Sequence, residues 1–248
     1  MFGQNPVRKQ VIDPMGRLIV QERFMTIQGE GPYAGVPAFF VRLAGCNLRC
    51  HFCDTDFESN IDSEPVAIEM LLEEAVRAQR DHNYRLVVLT GGEPMRQNIV
   101  PLIKELCRWG FHVQIETAGT LWLEDLANAP IESAIPLMTA GTVSIVVSPK
   151  TGSVNDAIYR HALAWKYIIK AEEVSLRDGL PAFGTQIQGR LLTLCRPPLH
   201  TPRTMVFVQP CDEDDLAKNQ LNMQAAMLSA TKFGYRMSLQ QHKILGMR

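Results

Sequence analysis

A chain of 248 residues, 46% hydrophobic and 21% charged, has a globular composition and the length for one sizeable domain or two small ones. Its net charge of −1 supplies no basic field for nucleic acid, and its apolar runs fall far short of a membrane span. The opening stretch MFGQNPVRKQVIDP lacks an apolar core, so no signal peptide is read, and six cysteines with three clustered point to reduced, cytoplasmic chemistry instead of a disulfide framework.

Residues 1–17 are polar and hold Pro6, Pro14 and Gly16, which makes them an extension ahead of the fold. LIVQERFMTI (18–27) has strand character and runs into a glycine-rich turn, QGEGPYAG (28–35). A second strand, VPAFFVRLAG (36–45), leads into CNLRCHFCDTDF (46–57). Ser63 is placed to cap a helix with Pro65 in its first turn and Ile68, Leu71, Leu72, Ala75 and Val76 along one face. RLVVL (85–89) is a buried-type strand ending in TGGEP (90–94). Ile99, Leu102, Ile103 and Leu106 mark another helix, stopped by Gly110. Strands follow at 111–117, 143–147, 164–170, 204–210 and 235–240, with a short helix near 122–128 and a longer one opened by Asp212–Asp215 and closed by Gly234. Residues 172–202 carry four prolines and no clean period, and read as an irregular insertion.

Strands alternate with helices, so the class is α/β with a mainly parallel sheet, and no linker divides 1–248 into more than a single domain. The unusual polar motifs stand where strands end: QGEG, the cysteine loop, GGEP, Glu116–Thr117, SPK and QP. In α/β sheets those carboxyl ends form the ligand face, although turns are polar in any fold.

Cys46, Cys50 and Cys53 sit in a loop short enough to aim three sulfurs at one point, which suits an iron–sulfur cluster or zinc. Zinc needs a fourth ligand, and His51 is adjacent to Cys50, so their side chains diverge. Three cysteines on a 4Fe–4S cluster leave one iron open to a cofactor. Gly91 and Gly92 permit close backbone approach to a ligand. Asp54, Thr55 and Asp56 offer hard oxygens suited to Mg²⁺, or form an exposed turn. Gln28, Glu30 and Arg42 present an amide, a carboxylate and a guanidinium, for a ligand or for a plain salt bridge.

The cysteine spacing with GGEP resembles the radical S-adenosylmethionine (SAM) superfamily. TIQGEG upstream, ETAGT, VSPK, QP and the terminal SLQQHKILGMR extend the resemblance, from about Phe24 to the C-terminus, to the 7-carboxy-7-deazaguanine synthase (QueE) family. The resemblance implies a cut-down (partial) radical SAM α/β barrel. It also implies a 4Fe–4S cluster on Cys46, Cys50 and Cys53, SAM on the open iron, and Mg²⁺ reached by Thr55. SAM contacts map to Phe52, Gly92, Ser148, Pro149, Lys150, Gln209 and Pro210, and substrate contacts to Ile27, Gln28, Gly29, Glu30, Arg42, Thr90, His242 and Arg248. The implied reaction turns 6-carboxy-5,6,7,8-tetrahydropterin into 7-carboxy-7-deazaguanine with loss of ammonia, on the queuosine and 7-deazapurine route. A 5′-deoxyadenosyl radical takes and returns a substrate hydrogen, with no side chain as acid or base. A homodimer and an external, flavodoxin-like one-electron reductant are the implied partners, with no nucleic acid and no membrane.

Three departures stand out: ETAGT replaces the family's usual ETSGT or ETNGT, 172–202 is long, and the residues before 18 have no assignable role. Rival readings are a glycyl-radical activase, which shares the cysteine spacing, and a metal-stabilised binding module, which the neutral charge disfavours.

Overall fold

The computed structural model describes residues 5–53, 55–57, 64–132, 138–186 and 192–247. Eight strands form one sheet in strict chain order: β1 (Val20–Ile27), β2 (Pro37–Leu43), β3 (Leu86–Gly91), β4 (His112–Thr117), β5 (Val143–Val147), β6 (Ala164–Ile169), β7 (Val206–Pro210) and β8 (Arg236–Met237). The short turn after β1 makes β1 and β2 antiparallel, and every later pair is parallel. Helices α1 (Ile68–His82), α2 (Val100–Arg108), α3 (Asp156–His161) and α4 (Leu216–Phe233) lie in the crossovers, and α5 (Gln241–Ile244) follows β8. The mainly parallel α/β architecture expected from the sequence is the one observed.

Alternation gives each strand two environments. Val87, Leu89, Val113, Ile115, Ile145, Trp165, Tyr167 and Val208 pack against Leu71, Ala75, Leu102, Ile103, Ile158 and Ala226 of the helices in one large buried cluster. Intervening residues face the other way. Phe40, Leu86 and Val88 gather there with Tyr33 and Leu163, and Val146 with Ala164 and Phe207. Toward the carboxyl ends this second face becomes polar, with Thr90, Gln114 and Gln209 all buried.

The sheet curls around that face. Gln28, just past β1, donates to Gln114 Oε1 and Glu116 Oε1 of β4 at 3.0 and 3.1 Å. Gly31 N donates to Ser238 Oγ, just past β8, at 3.0 Å. In a flat sheet the first and eighth strands would be about 34 Å apart. The sheet is therefore a partial barrel with β1 and β8 as its two ends.

Local chemistry explains most boundaries. Asn83 closes α1 in the left-handed region at φ 57°. Asp215 caps α4 by accepting from Ala217 N and Lys218 N at 3.0 and 3.2 Å, and Gly234 closes it at φ 77°. α1 starts at Ile68, which leaves Pro65 outside its first turn; Ser63 lies outside the described residues. The cause is a two-way backbone pairing of Val66 with Leu18, at 2.7 and 2.8 Å, which holds Val66 extended. The expected helix near 122–128 is a 3-10 turn, Glu124–Asn128, and the last strand shrinks to Arg236–Met237. α3 and α5, of 6 and 4 residues, are too short to show a period and were not expected. The described residues of 172–202 pair through the bridges Val174↔Pro181 and Phe183↔Thr193 and bury Leu180 and Leu194.

His112, fully buried in β4, shares hydrogen bonds with Thr142 Oγ1 and Ser144 Oγ, both at 2.9 Å, and burial depresses its pKa despite Glu132 nearby. Stability tied to the neutral ring is complete above about pH 6.5 and is lost as pH falls through the lower folded value. Thermal scans should show Tm dropping over that acid range, and dropping less in His112→Gln.

Candidate active site

β2 and β3 run in register, with Arg42 opposite Thr90 and Leu43 opposite Gly91, so the loops leaving their carboxyl ends start side by side. Gly92 N donates to Leu43 O at 3.3 Å and Glu93 N to Gly45 O at 3.2 Å. A Cβ on Gly91 would lie 2.2 Å from Leu43 O; one on Gly92 would lie 2.2 Å from Gly45 O and 2.7 Å from the Cys46 Cβ. The Glu93 carboxylate is buried within the frame, accepting from Thr117 Oγ1 at 2.8 and 2.9 Å, Ala118 N at 2.9 Å and Met95 N at 3.1 Å. GGE thus offers backbone to a ligand, and Thr117 of ETAGT anchors Glu93.

Cys46, Cys50 and Cys53 line one cavity of about 410 Å³. Each sulfur receives a donor. Leu48 N lies 3.4 Å from Cys46 Sγ, Thr185 Oγ1 and Gln186 Nε2 lie 3.0 and 3.5 Å from Cys50 Sγ, and Asn5 Nδ2 lies 3.6 Å from Cys53 Sγ. Donors aimed at sulfur favour thiolates, the form that ligates metal. Burial pushes the Cys46 thiol up to about 12, so its proton leaves when metal replaces it. His51 is exposed and turned to Thr185 O at 3.0 Å. Among the described residues no three His, Cys, Asp or Glu side chains gather tightly enough to hold a single metal ion. A 4Fe–4S cluster binds each thiolate through a different iron over a wider span, and three thiolates with donors on each sulfur fit it.

The same cavity takes in nearly all the other expected residues. Phe52, Gly92, Ser148, Lys150, Gln209 and Pro210 line it, while Pro149 does not. Lys150 Nζ donates to Ser148 O at 2.8 Å and to its Oγ, and burial depresses the Lys150 pKa. Gln209 is tied to Glu30, donating to Oε1 at 3.2 Å, and accepts from Ser238 Oγ at 3.2 Å.

Ile27, Gln28, Glu30, Arg42, Thr55, Thr90 and His242 also line the cavity. Gly29 sits beneath His242: a Cβ there would lie 2.1 Å from Nδ1. Glu30 accepts from Gln240 Nε2 at 3.0 Å and pairs with Lys166 Nζ. Burial pushes the Glu30 carboxyl up, but Lys166 and the amide donors outweigh it and hold the group well below the usual range, so it is ionised at neutral pH. Burial likewise depresses His242. Arg42 Nε donates to Glu22 Oε1 at 2.6 Å, and Thr90 Oγ1 to Glu116 Oε2 at 3.2 Å. Arg248 lies outside the described residues.

Lys166, Glu116 and Gln240 line the cavity too; Glu116 was noted in the sequence only as a polar strand end, and Lys166 and Gln240 were not singled out. A signal existed for two of them. Lys166 is the one charge in AWKYII, and Gln114 and Glu116 alternate with apolar residues in HVQIET. Polar residues at alternate positions of an otherwise apolar strand mark the inner face of a curled sheet.

A partial barrel with three donor-cradled thiols at its ligand face defines a radical SAM enzyme, and the family model of the Radical SAM superfamily matches residues 41–167. A 4Fe–4S cluster and SAM belong to that class. The chain is 44% identical to a 7-carboxy-7-deazaguanine synthase of Rhodospirillum rubrum, over 99% of both chains. It is 36% identical to one of Rickettsia prowazekii, over 99% of this chain and 95% of that one. The crystal structure of QueE from Escherichia coli shares the fold, with TM-score 0.59 at 23% identity over 90% of this chain and 93% of that one. The chain belongs to the 7-carboxy-7-deazaguanine synthase family.

Gly92→Ala should press the cysteine loop off Gly45 and lower the iron and sulfide content after anaerobic reconstitution. Gly29→Ala, whose added methyl meets His242, should leave that content unchanged.

Proposed function

We propose that this enzyme converts 6-carboxy-5,6,7,8-tetrahydropterin to 7-carboxy-7-deazaguanine with loss of ammonia. Mg²⁺ is held with the help of Thr55, the chain forms one domain that acts as a homodimer in the cytoplasm, and a flavodoxin-like protein supplies electrons. The observation that carries the reading is the shared cavity. One space is lined by the three thiols and by Gln28, Glu30, Gln240 and His242. Cys46, Cys50 and Cys53 would hold the 4Fe–4S cluster, which when bound would supply the one-electron reduction of SAM that the hydrogen-transfer chemistry needs.

The chain's own residues bind and orient. Glu30, ionised and braced by Lys166, Gln209 and Gln240, is an acceptor matched to the N–H edge of a pterin. Gln28 shapes the turn: its Oε1 accepts from Glu30 N at 3.1 Å while its Nε2 reaches Gln114 and Glu116. Gly29 makes room for His242, which burial keeps neutral near pH 7. Arg42 brings positive charge to the lining and Lys150 an amine donor, groups suited to the carboxylates of substrate and SAM. Thr55 lines the same space, its carbonyl held by Asn5 Nδ2 at 2.6 Å, and a threonine hydroxyl is the hard oxygen type that Mg²⁺ takes. Among the described residues no helix is long and apolar enough to cross a membrane.

The direct test is anaerobic reconstitution with iron and sulfide, reduction, and addition of SAM, Mg²⁺ and the carboxytetrahydropterin. The deazapurine carboxylate should form, and its absence with an intact cluster overturns the proposal. Glu30→Gln should cut kcat/KM about ten- to hundredfold, the loss of one charged hydrogen bond, with cluster content unchanged. Thr55→Ala should raise the Mg²⁺ concentration needed for half-maximal rate while the cluster stays; loss of the cluster would show that Thr55 serves the fold of the loop instead.

A further inference from the structure

Residues 172–202 read as an irregular insertion in the sequence, yet Thr185 and Gln186 within them reach the cysteine loop. Gln186 forms an antiparallel bridge with Cys50. His51 N donates to Thr185 O at 3.0 Å, and Arg49 N donates to Gln186 Oε1 at 3.0 Å. On its other side Thr185 N donates to Lys150 O at 3.0 Å, which ties the same residue to the segment after β5. Gly184 allows that approach, since a Cβ there would already lie 3.1 Å from Lys150 O.

So held, Thr185 and Gln186 direct their side chains at one sulfur. Thr185 Oγ1 lies 3.0 Å from Cys50 Sγ and 3.4 Å from Lys150 O, so the shorter path for its proton is to sulfur. Gln186 Nε2 lies 3.5 Å from the same sulfur and 3.4 Å from Thr185 Oγ1, feeding the hydroxyl as it donates. Thr185 is buried, with 8% of its surface exposed, so water does not readily replace it. Cys50 Sγ thus accepts from two side-chain donors, and Asn5 Nδ2 reaches Cys53 Sγ at 3.6 Å.

We propose that Thr185, supported by Gln186, is a positioning residue that raises the reduction potential of the cluster by hydrogen-bonding the Cys50 sulfur. Reduction adds one electron to the cluster, and donors to a sulfur ligand stabilise the added negative charge. The long insertion then serves the cluster's electron affinity, and with it the ease with which a one-electron reductant primes the enzyme. The inference rests on the 4Fe–4S reading of the site.

The test compares wild type, Thr185→Val, Thr185→Ser and Gln186→Met, each reconstituted anaerobically and assayed for iron and sulfide. Midpoint potentials are then read by redox titration followed by electron paramagnetic resonance, with SAM and substrate omitted. Thr185→Val should hold its cluster but shift the reduction equilibrium about tenfold toward the oxidised form, 59 mV lower for a one-electron couple. Thr185→Ser should return the wild-type midpoint, and Gln186→Met should shift it the same way by less. A wild-type midpoint in Thr185→Val overturns the inference, as does a serine variant displaced as far as the valine. Should Thr185→Val take up no iron, Gln186→Met decides: full iron with an unmoved midpoint overturns the inference. If wild type assembles no 4Fe–4S cluster, the reading of the site fails, and this inference fails with it.

Discussion

The contact between the ends of β2 and β3 is the constraint on which the site depends. Gly91 and Gly92 bring the GGE backbone against Leu43, Gly45 and Cys46 so closely that no side chain fits between them. That contact sets where the cysteine loop begins. Glu93, with its carboxyl group buried, then fixes the two strands against Thr117 at the end of β4 and Ala118 just past it. Buried carboxylates are tolerated when every oxygen is paired, and here that pairing ties three consecutive strand ends together. The substitution of alanine in ETAGT is accommodated because the anchoring comes from the Thr117 hydroxyl and a backbone N–H, which Ala118 supplies as well as any residue.

A second buried carboxyl group performs a similar task across the barrel. Glu30, from the turn after β1, meets Lys166 of β6, Gln209 of β7 and Gln240 after β8. Those elements are far apart in the strand order, so the pairing is satisfied only when the sheet curls. Removing one partner would leave a desolvated charge, which is far more costly than the pair is stabilising. The ionised carboxylate is therefore both a closure device for the fold and an acceptor presented to the cavity.

Two segments to which the sequence assigned no site role converge on the cysteine loop from outside. Val7 bridges Cys46, Arg8 N donates to Cys46 O at 2.7 Å, and Asn5 ties Thr55 and Phe57 to Cys53. Thr185 and Gln186 hold the other flank. Neither segment has a hydrophobic period, because both are held by backbone pairing to partners more than thirty residues away. Arg96 shows the same logic, reaching Lys9 O at 2.8 Å and Ala44 O at 3.0 Å from a 3-10 turn that looks like an ordinary loop.

By itself the sequence determined the succession of strands along the chain, their alternation with helices, the three-cysteine loop and the turns that reach the ligand face. Each of these is local: period, caps, glycine positions and cysteine spacing are properties of neighbours along the chain. Tertiary structure alone decided which inward side chains meet. Lys166 with Glu30, Gln28 with Glu116, His242 over Gly29 and Thr185 on the Cys50 sulfur all depend on curvature and on long-range register, which no window of the sequence encodes. The same physics displaced the start of α1, where pairing of Val66 with Leu18 overrode a legible local start signal.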